Sequence, residues 1–146
     1  MIYRYKATLP NHKTFVRVYE VRANTTLYAL HLFLQDDLSF SPDQQVLFCS
    51  VDNMGKPADR YGLFDMGNGS MDQVRLEELH QKGVRIIRYV FDTFKGRYLA
   101  LEFEGMDGEL ARKHYPRTIM EKGGDPDQFQ EEHSSLDVQI EEFDSE

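Results

Sequence analysis

At 146 residues, 40% of them hydrophobic, the chain can build one sizeable core and has nothing left over for a second domain. Its formal charge of -8 is uneven: nine of the 25 acids lie in Gly123–Glu146, which has no lysine or arginine, leaving 16 acids against all 17 basic residues in Met1–Lys122. A nearly neutral body excludes the broad basic footprint of a phosphate-backbone binder, leaving room only for a local patch.

Ile2 to Leu9 alternates, with Tyr3, Tyr5, Ala7 and Leu9 on one face and Arg4, Lys6 and Thr8 on the other, which predicts a half-buried strand. After the turn PNHK, the β-rich run Thr14 to Val21 is expected to pair with it as an antiparallel hairpin. Asn24, Thr25 or Thr26 then offers an N-cap for a helix running to about Leu38, with Leu27, Leu30, His31, Leu34 and Leu38 as its core stripe. His31 on that stripe reads as a hydrogen-bonded core residue. Tyr28, Ala29, Leu32 and Phe33 occupy the other side, so either a later segment covers that side or it is an oligomer contact.

SFSPDQQ suggests a short helical piece starting at Ser41 and Pro42. Val46 to Val51 is the third strand, and Cys49 within it is a buried free thiol with no partner for an intramolecular disulfide, which fits a reduced compartment. Asp52 to Ser70, rich in Gly, Asp, Asn, Met and Pro, is expected to be a long surface loop. Met71 to His80 predicts a short helix with Asp72 as a possible cap.

Arg88 to Phe103 reads as two strands joined by DTFKG. With Phe91 opposite Arg97, Tyr89 faces Leu99, Ile87 faces Leu101 and Arg85 faces Phe103, so one face is apolar. Arg88 then lies across from Ala100; a shift of one residue would mix the two faces. At the tip, Asp92 can bond local backbone, Gly96 can take positive φ and Lys95 stays wet, so Asp92, Lys95 and Arg97 serve as a turn or as contacts. Tyr115, Pro116 and Arg117 form an aromatic and cationic group that anchors a strand or loop, or recognises a carboxylate or phosphate.

Gly123 to Glu146 reads first as a flexible acidic tail, because many like charges and few apolar groups do not offset the entropy of ordering. Within it Leu136, Val138 and Ile140 alternate with Asp137, Gln139 and Glu141, so an extended Leu136 to Phe143 docking on a sheet edge is the alternative.

The five histidines, His12, His31, His80, His114 and His133, show no local metal-ligand spacing, and no nucleophile elbow, phosphate loop or dinucleotide glycine pattern occurs. No catalytic residue, metal or cofactor is therefore expected. No apolar run approaches the ~18 residues of a membrane span, so a cytoplasmic location without membrane contact is expected. The expected fold is a single-domain α+β roll over residues 1–122, its antiparallel or mixed sheet packed on one main helix, Leu27 to Leu38, with a prominent hairpin, Val84 to Glu104. Function reduces to two main classes, with an enzyme of dispersed site as a lesser third. One is a non-catalytic protein-interaction module with an unidentified protein partner or a second copy, its candidate contacts being Asp92, Lys95, Arg97, Tyr115, Arg117, Tyr28, Leu32 and Phe33. The other is a nucleic-acid-associated accessory protein, with Arg85, Arg88, Lys95, Arg97, Arg112, Lys113 and Arg117 on phosphates.

YRYKATL, TTLYALHLFL, RLEEL, RYVFDTFKGRYLALEF and YPRTIMEKGGDPDQF, taken in order, resemble the family named for open reading frame three of plasmid pRiA4b (pRiA4b ORF-3-like), over about Tyr3 to Phe129. That resemblance implies an α+β roll from bacteria or archaea, sometimes associated with mobile elements, and no established biochemical activity. Many relatives carry Tyr-Asp-Phe-Gly-Asp at the hairpin turn, Trp and His soon after, and two cysteines near the terminal Pro and Gly segment. Here only Asp92 matches, so the chain is similar to a diverged branch.

Overall fold

The computed structural model describes residues 1–127, and within them the alternating segments become strands. β1 (Ile2–Leu9) and β2 (His12–Arg22) form the expected hairpin, with Tyr3 opposite Val21 and Tyr5 opposite Tyr19. α1 (Leu27–Asp37) is capped by Thr26, whose hydroxyl oxygen accepts the Ala29 amide at 3.1 Å. β3 (Leu47–Val51), β4 (Pro57–Tyr61) and the one-and-a-half-turn α2 (Leu76–Gln81) follow. β5 (Ile86–Asp92) and β6 (Arg97–Asp107) make the second hairpin, and β7 (Arg117–Lys122) completes one antiparallel sheet in the order β4-β3-β5-β6-β1-β2-β7. The chain is thus an α+β domain with one main helix.

In the second hairpin Tyr89 faces Leu99, Ile87 faces Leu101 and Arg88 faces Ala100, and the Phe103 amide donates to the Arg85 carbonyl at 2.8 Å. The tip differs from expectation by one residue: Arg97 pairs with Asp92 instead of Phe91, across a bulge between Val90 and Asp92. The cause is local. Asp92 accepts from the Lys95 amide at 3.0 Å and from Arg97 Nε at 2.8 Å, which draws it opposite Arg97. The bulge lets Phe91 remain in the core despite the extra residue.

Directly opposed residues share a face, so the register defines two surfaces. Tyr5, Ala7, Tyr19, Phe48, Ile87, Tyr89, Leu99 and Leu101 line one of them and form a single core with Leu27, Leu30, Leu34 and Leu38 of the α1 region and with Leu76 and Leu79 of α2. Phe103 packs at its border, edge-on to Tyr3 and Tyr5. Both helices therefore cover the same side of the sheet.

His31 takes its expected place as a core residue, its Nδ1 2.8 Å from the Tyr89 hydroxyl. Burial pushes its pKa below the ordinary 6.5. The unfolded chain, with an imidazole near ~6.5, then takes up the proton first. The sign follows: this contribution to stability is complete above about pH 6.5 and is lost as pH falls through the depressed folded value. Burial, with the Arg85 charge second, lowers His80 in the same direction. Denaturant midpoints should therefore fall between pH 7.5 and 5.5, and His31→Gln should flatten the decline.

Three expectations are corrected, and one strand is added. No helix forms at Ser41 and Pro42; the segment between Phe40 and Leu47 is turn only, with the Asp43 amide 3.4 Å from Ser41 Oγ. The long loop Asp52 to Ser70 contains β4; the added strand is β7, whose first residue, Arg117, belongs to the group expected to anchor a strand or loop. These two missed strands are the sheet's edges; one side of each finds no partner strand among the described residues, so their sequences carry little apolar alternation. Proline at the start of β4 is tolerated because it lies on an edge. Finally, α2 begins at Leu76 instead of Met71: Asp72 accepts the Ser70 hydroxyl in a turn, and Arg75 is the N-cap, its amide 3.3 Å from Glu78 Oε1.

Candidate functional site

The tip of the β5–β6 hairpin stands beside the tip of β1–β2, and residues 123–127 cross the gap between them. Together they line a cleft of about 700 Å³ that includes His12, Phe15, Phe91, Lys95, Arg97 and Asp125. Burial works against the Asp92 charge, but the Lys95 amide and the Arg97 guanidinium outweigh it and hold the carboxyl below the usual carboxylate range. Arg97 also donates to the Asp127 carbonyl at 2.7 Å. Asp92 and Arg97 therefore hold the tip together and pin the crossing segment.

A second pin was not legible in the sequence. Arg17 sits on the core-facing side of β2, between Phe15 and Tyr19, and is 2% exposed. Its guanidinium lies 4.4 Å from the centre of the Phe15 ring and donates to the Val16 and Lys122 carbonyls at 3.0 and 2.9 Å. Asp125 supplies the countercharge at 3.2 Å, and its other oxygen accepts from the Ser39 hydroxyl. The close path is possible because Gly123 has φ +83 and no side chain; a Cβ there would meet the Thr14 carbonyl oxygen at 2.6 Å. The first five residues of the expected tail thus pack on the body, while the tail segment Leu136 to Phe143 lies outside the described residues.

Tyr115 and Arg117 occupy another end of the molecule. The Tyr115 ring lies near Arg22 and Arg117, at 5.5 and 5.7 Å, while Arg117 Nε donates to Glu20 at 2.7 Å and Arg22 pairs with Glu109. This is an anchor for the segment entering β7. The cations considered for phosphate are dispersed as well: Arg97 and Arg117 are held by carboxylates, Arg85 lies against His80 and Phe103 on the helix side, and Arg88 faces the other side over Tyr98. They do not make one stripe.

Of the three candidate contacts on the second side of α1, Tyr28 and Leu32 are exposed, whereas Phe33 turns partly inward, edge-on to Tyr19 at 5.3 Å. Their neighbours are residues that sequence analysis missed. The Tyr28 amide donates to the Met71 carbonyl and the Met71 amide to the Gly62 carbonyl, which ties the start of α1 to both ends of the loop 62–70. On that loop Phe64 is 85% exposed, with Leu63 and Met66 also outward. The loop is braced, since Asp65 Oδ1 accepts from the Gly67 and Gly69 amides at 2.7 and 3.1 Å, and these bonds lower its pKa. The available signal was three large apolar residues inside a Gly- and Asp-rich segment with no strand alternation. Phe94 at the hairpin tip, 94% exposed, was missed for the same reason.

Among the described residues, no group of three or more His, Cys, Asp or Glu is placed to hold a metal ion, and no helix is long and apolar enough to cross a membrane. Among the described residues, the fold and its surface define an α+β sheet protein with an apolar end, a cleft between the hairpin tips lined by both apolar and charged residues, and one sheet side without helices. No family model and no curated protein matches the chain. A solved structure is similar: a protein of unknown function from Methanosarcina mazei Go1, at TM-score 0.71 and 17% identity, over 86% of this chain and 71% of that one. At that identity the likeness shows the fold alone.

Proposed function

We propose that the chain is a non-catalytic, cytoplasmic protein-interaction module of the pRiA4b ORF-3-like kind, which grips a partner protein with its apolar end. The observation that supports this is Phe64, a large aromatic side chain held in water on a braced loop beside exposed Leu63 and Met66 and tied to the helix that carries Tyr28 and Leu32. Exposed aromatic and methionine side chains gathered at one place mark contact surfaces, and aromatic residues dominate binding energy when such surfaces are covered. The dispersed and ion-paired arginines favour this over a phosphate-binding role.

Affinity capture from the native host tests the proposal with wild type, Phe64→Asp and, as a control on another surface, Lys13→Asp. A protein retained by wild type and Lys13→Asp but lost with Phe64→Asp is the expected result. Equal capture by all three places the contact elsewhere. A self-complementary contact is read by light scattering of the purified chain, where Leu32→Asp would convert a dimer to a monomer.

A further inference from the structure

The side of the sheet opposite the helices has its own composition. Reading across opposed residues, one row runs Lys122, Val16, Thr8, Ala100, Arg88, Cys49, Arg60 through all seven strands. The next row runs Met120, Val18, Lys6, Glu102, Ile86, Val51, and Tyr98 opposes Val90 on the other flank. A solvated antiparallel face ordinarily alternates to polar residues. Here Val16, Val18, Val90, Tyr98, Ala100 and Ile86 fill its middle, and Val18, Cys49 and Val51 are buried without belonging to the main core.

Charge on this face is sorted by row. Lys6 opposes Glu102, Glu104 lies further along β6, and the Arg4–Asp107 and Arg117–Glu20 pairs close one border. The first row, however, carries three cations and no acid, and among the described residues no ion pair holds Lys122, Arg88 or Arg60. Arg88 is positioned by Tyr98, 4.4 Å below its guanidinium, and by the Gly55 carbonyl at 3.5 Å. Four strand spacings separate Lys122 from Arg88, roughly 19 Å, and two separate Arg88 from Arg60, roughly 10 Å. Phosphates along a single strand recur far more closely than this. Widely spaced cations over an apolar strip complement an amphipathic segment with carboxylates a few turns apart.

We propose that this open face is the docking surface for an acidic amphipathic segment of a partner protein, its apolar side against Val16, Ala100, Val90 and Tyr98 and its carboxylates on Lys122, Arg88 and Arg60. The surface is separate from the apolar end that carries Phe64, so the two stand or fall independently.

Chemical-shift mapping on the isotope-labelled full chain decides it. The probe is a synthetic helical peptide of about 20 residues, long enough to span the sheet, with leucine on one face and glutamate on the other. A peptide with lysine for glutamate and a single-stranded oligothymidylate run alongside. Shifts centred on Val16, Ala100 and Val90 with the acidic peptide are expected. Arg60→Glu with Arg88→Glu, both surface changes in a chain whose melting point is checked, should weaken it by about tenfold or more. No shift on this face, equal response to the lysine peptide, preference for the oligothymidylate, or unchanged affinity in the double variant would each overturn the proposal.

Discussion

Replacing Leu101 with alanine is expected to remove about 2 to 5 kcal/mol of stability, the range for a fully buried leucine. Leu101 lies on β6 near the middle of the sheet, opposite Ala7 on one side and Ile87 on the other, and is essentially inaccessible. On the β1 side Ala7 is too small to fill the space left behind. For a domain of this size the melting temperature should drop by roughly 10 °C. Glu102→Ala, one residue along and on the opposite face, is the control and should shift stability by no more than about 0.5 kcal/mol. A loss of that small size at Leu101 would mean the register of the second hairpin is wrong.

Asp125→Ala should be the next most damaging change, at about 1 to 3 kcal/mol, because it strips the countercharge from a buried guanidinium. The half-exposed carboxylate keeps the loss below that of a wholly buried pair. Among the described residues Arg17 would then keep the Val16 and Lys122 carbonyls and the Phe15 ring, and its Nε finds no acceptor there. Arg17→Met keeps the apolar stem against Phe15 while removing the charge, and apolar replacement of a buried pair is often neutral. In an Arg17→Met background Asp125→Ala should therefore cost little, and a denaturant double-mutant cycle measures that coupling. Additive losses would show that Asp125 acts through Ser39 or the backbone and not through Arg17.

The legible part of the fold was the part that alternates between core and water. β1, β2 and the β5–β6 hairpin alternate over much of their length, so their sequences carry a period and, for the second hairpin, most of the register, whereas β3 is legible as a short continuous apolar run and buries four residues in a row. α1 announces itself by a leucine stripe. β4 and β7 bury little, having one neighbour each, and PADRY and RTIMEK carry no such period. Arg17 misleads for the opposite reason: an arginine in strand alternation reads as outward, and only a carboxylate 108 positions later makes its burial possible. The candidate contacts divide similarly. Asp92, Arg97, Tyr115 and Arg117 were legible as chemistry, yet they hold segments in place, whereas Phe64 and Leu63 gain their meaning from a loop braced by Asp65 and from backbone bonds to a helix far away in sequence.

If the apolar end is where a partner protein binds, covering it slows the exchange of its backbone amides. Hydrogen exchange on the full chain, alone and with the captured partner, tests it most directly. Slowed exchange in residues 62–71 and at the start of α1 is expected in the complex, with the cleft between the hairpin tips unchanged. Unaltered exchange in residues 62–71 alongside protection at that cleft would contradict it.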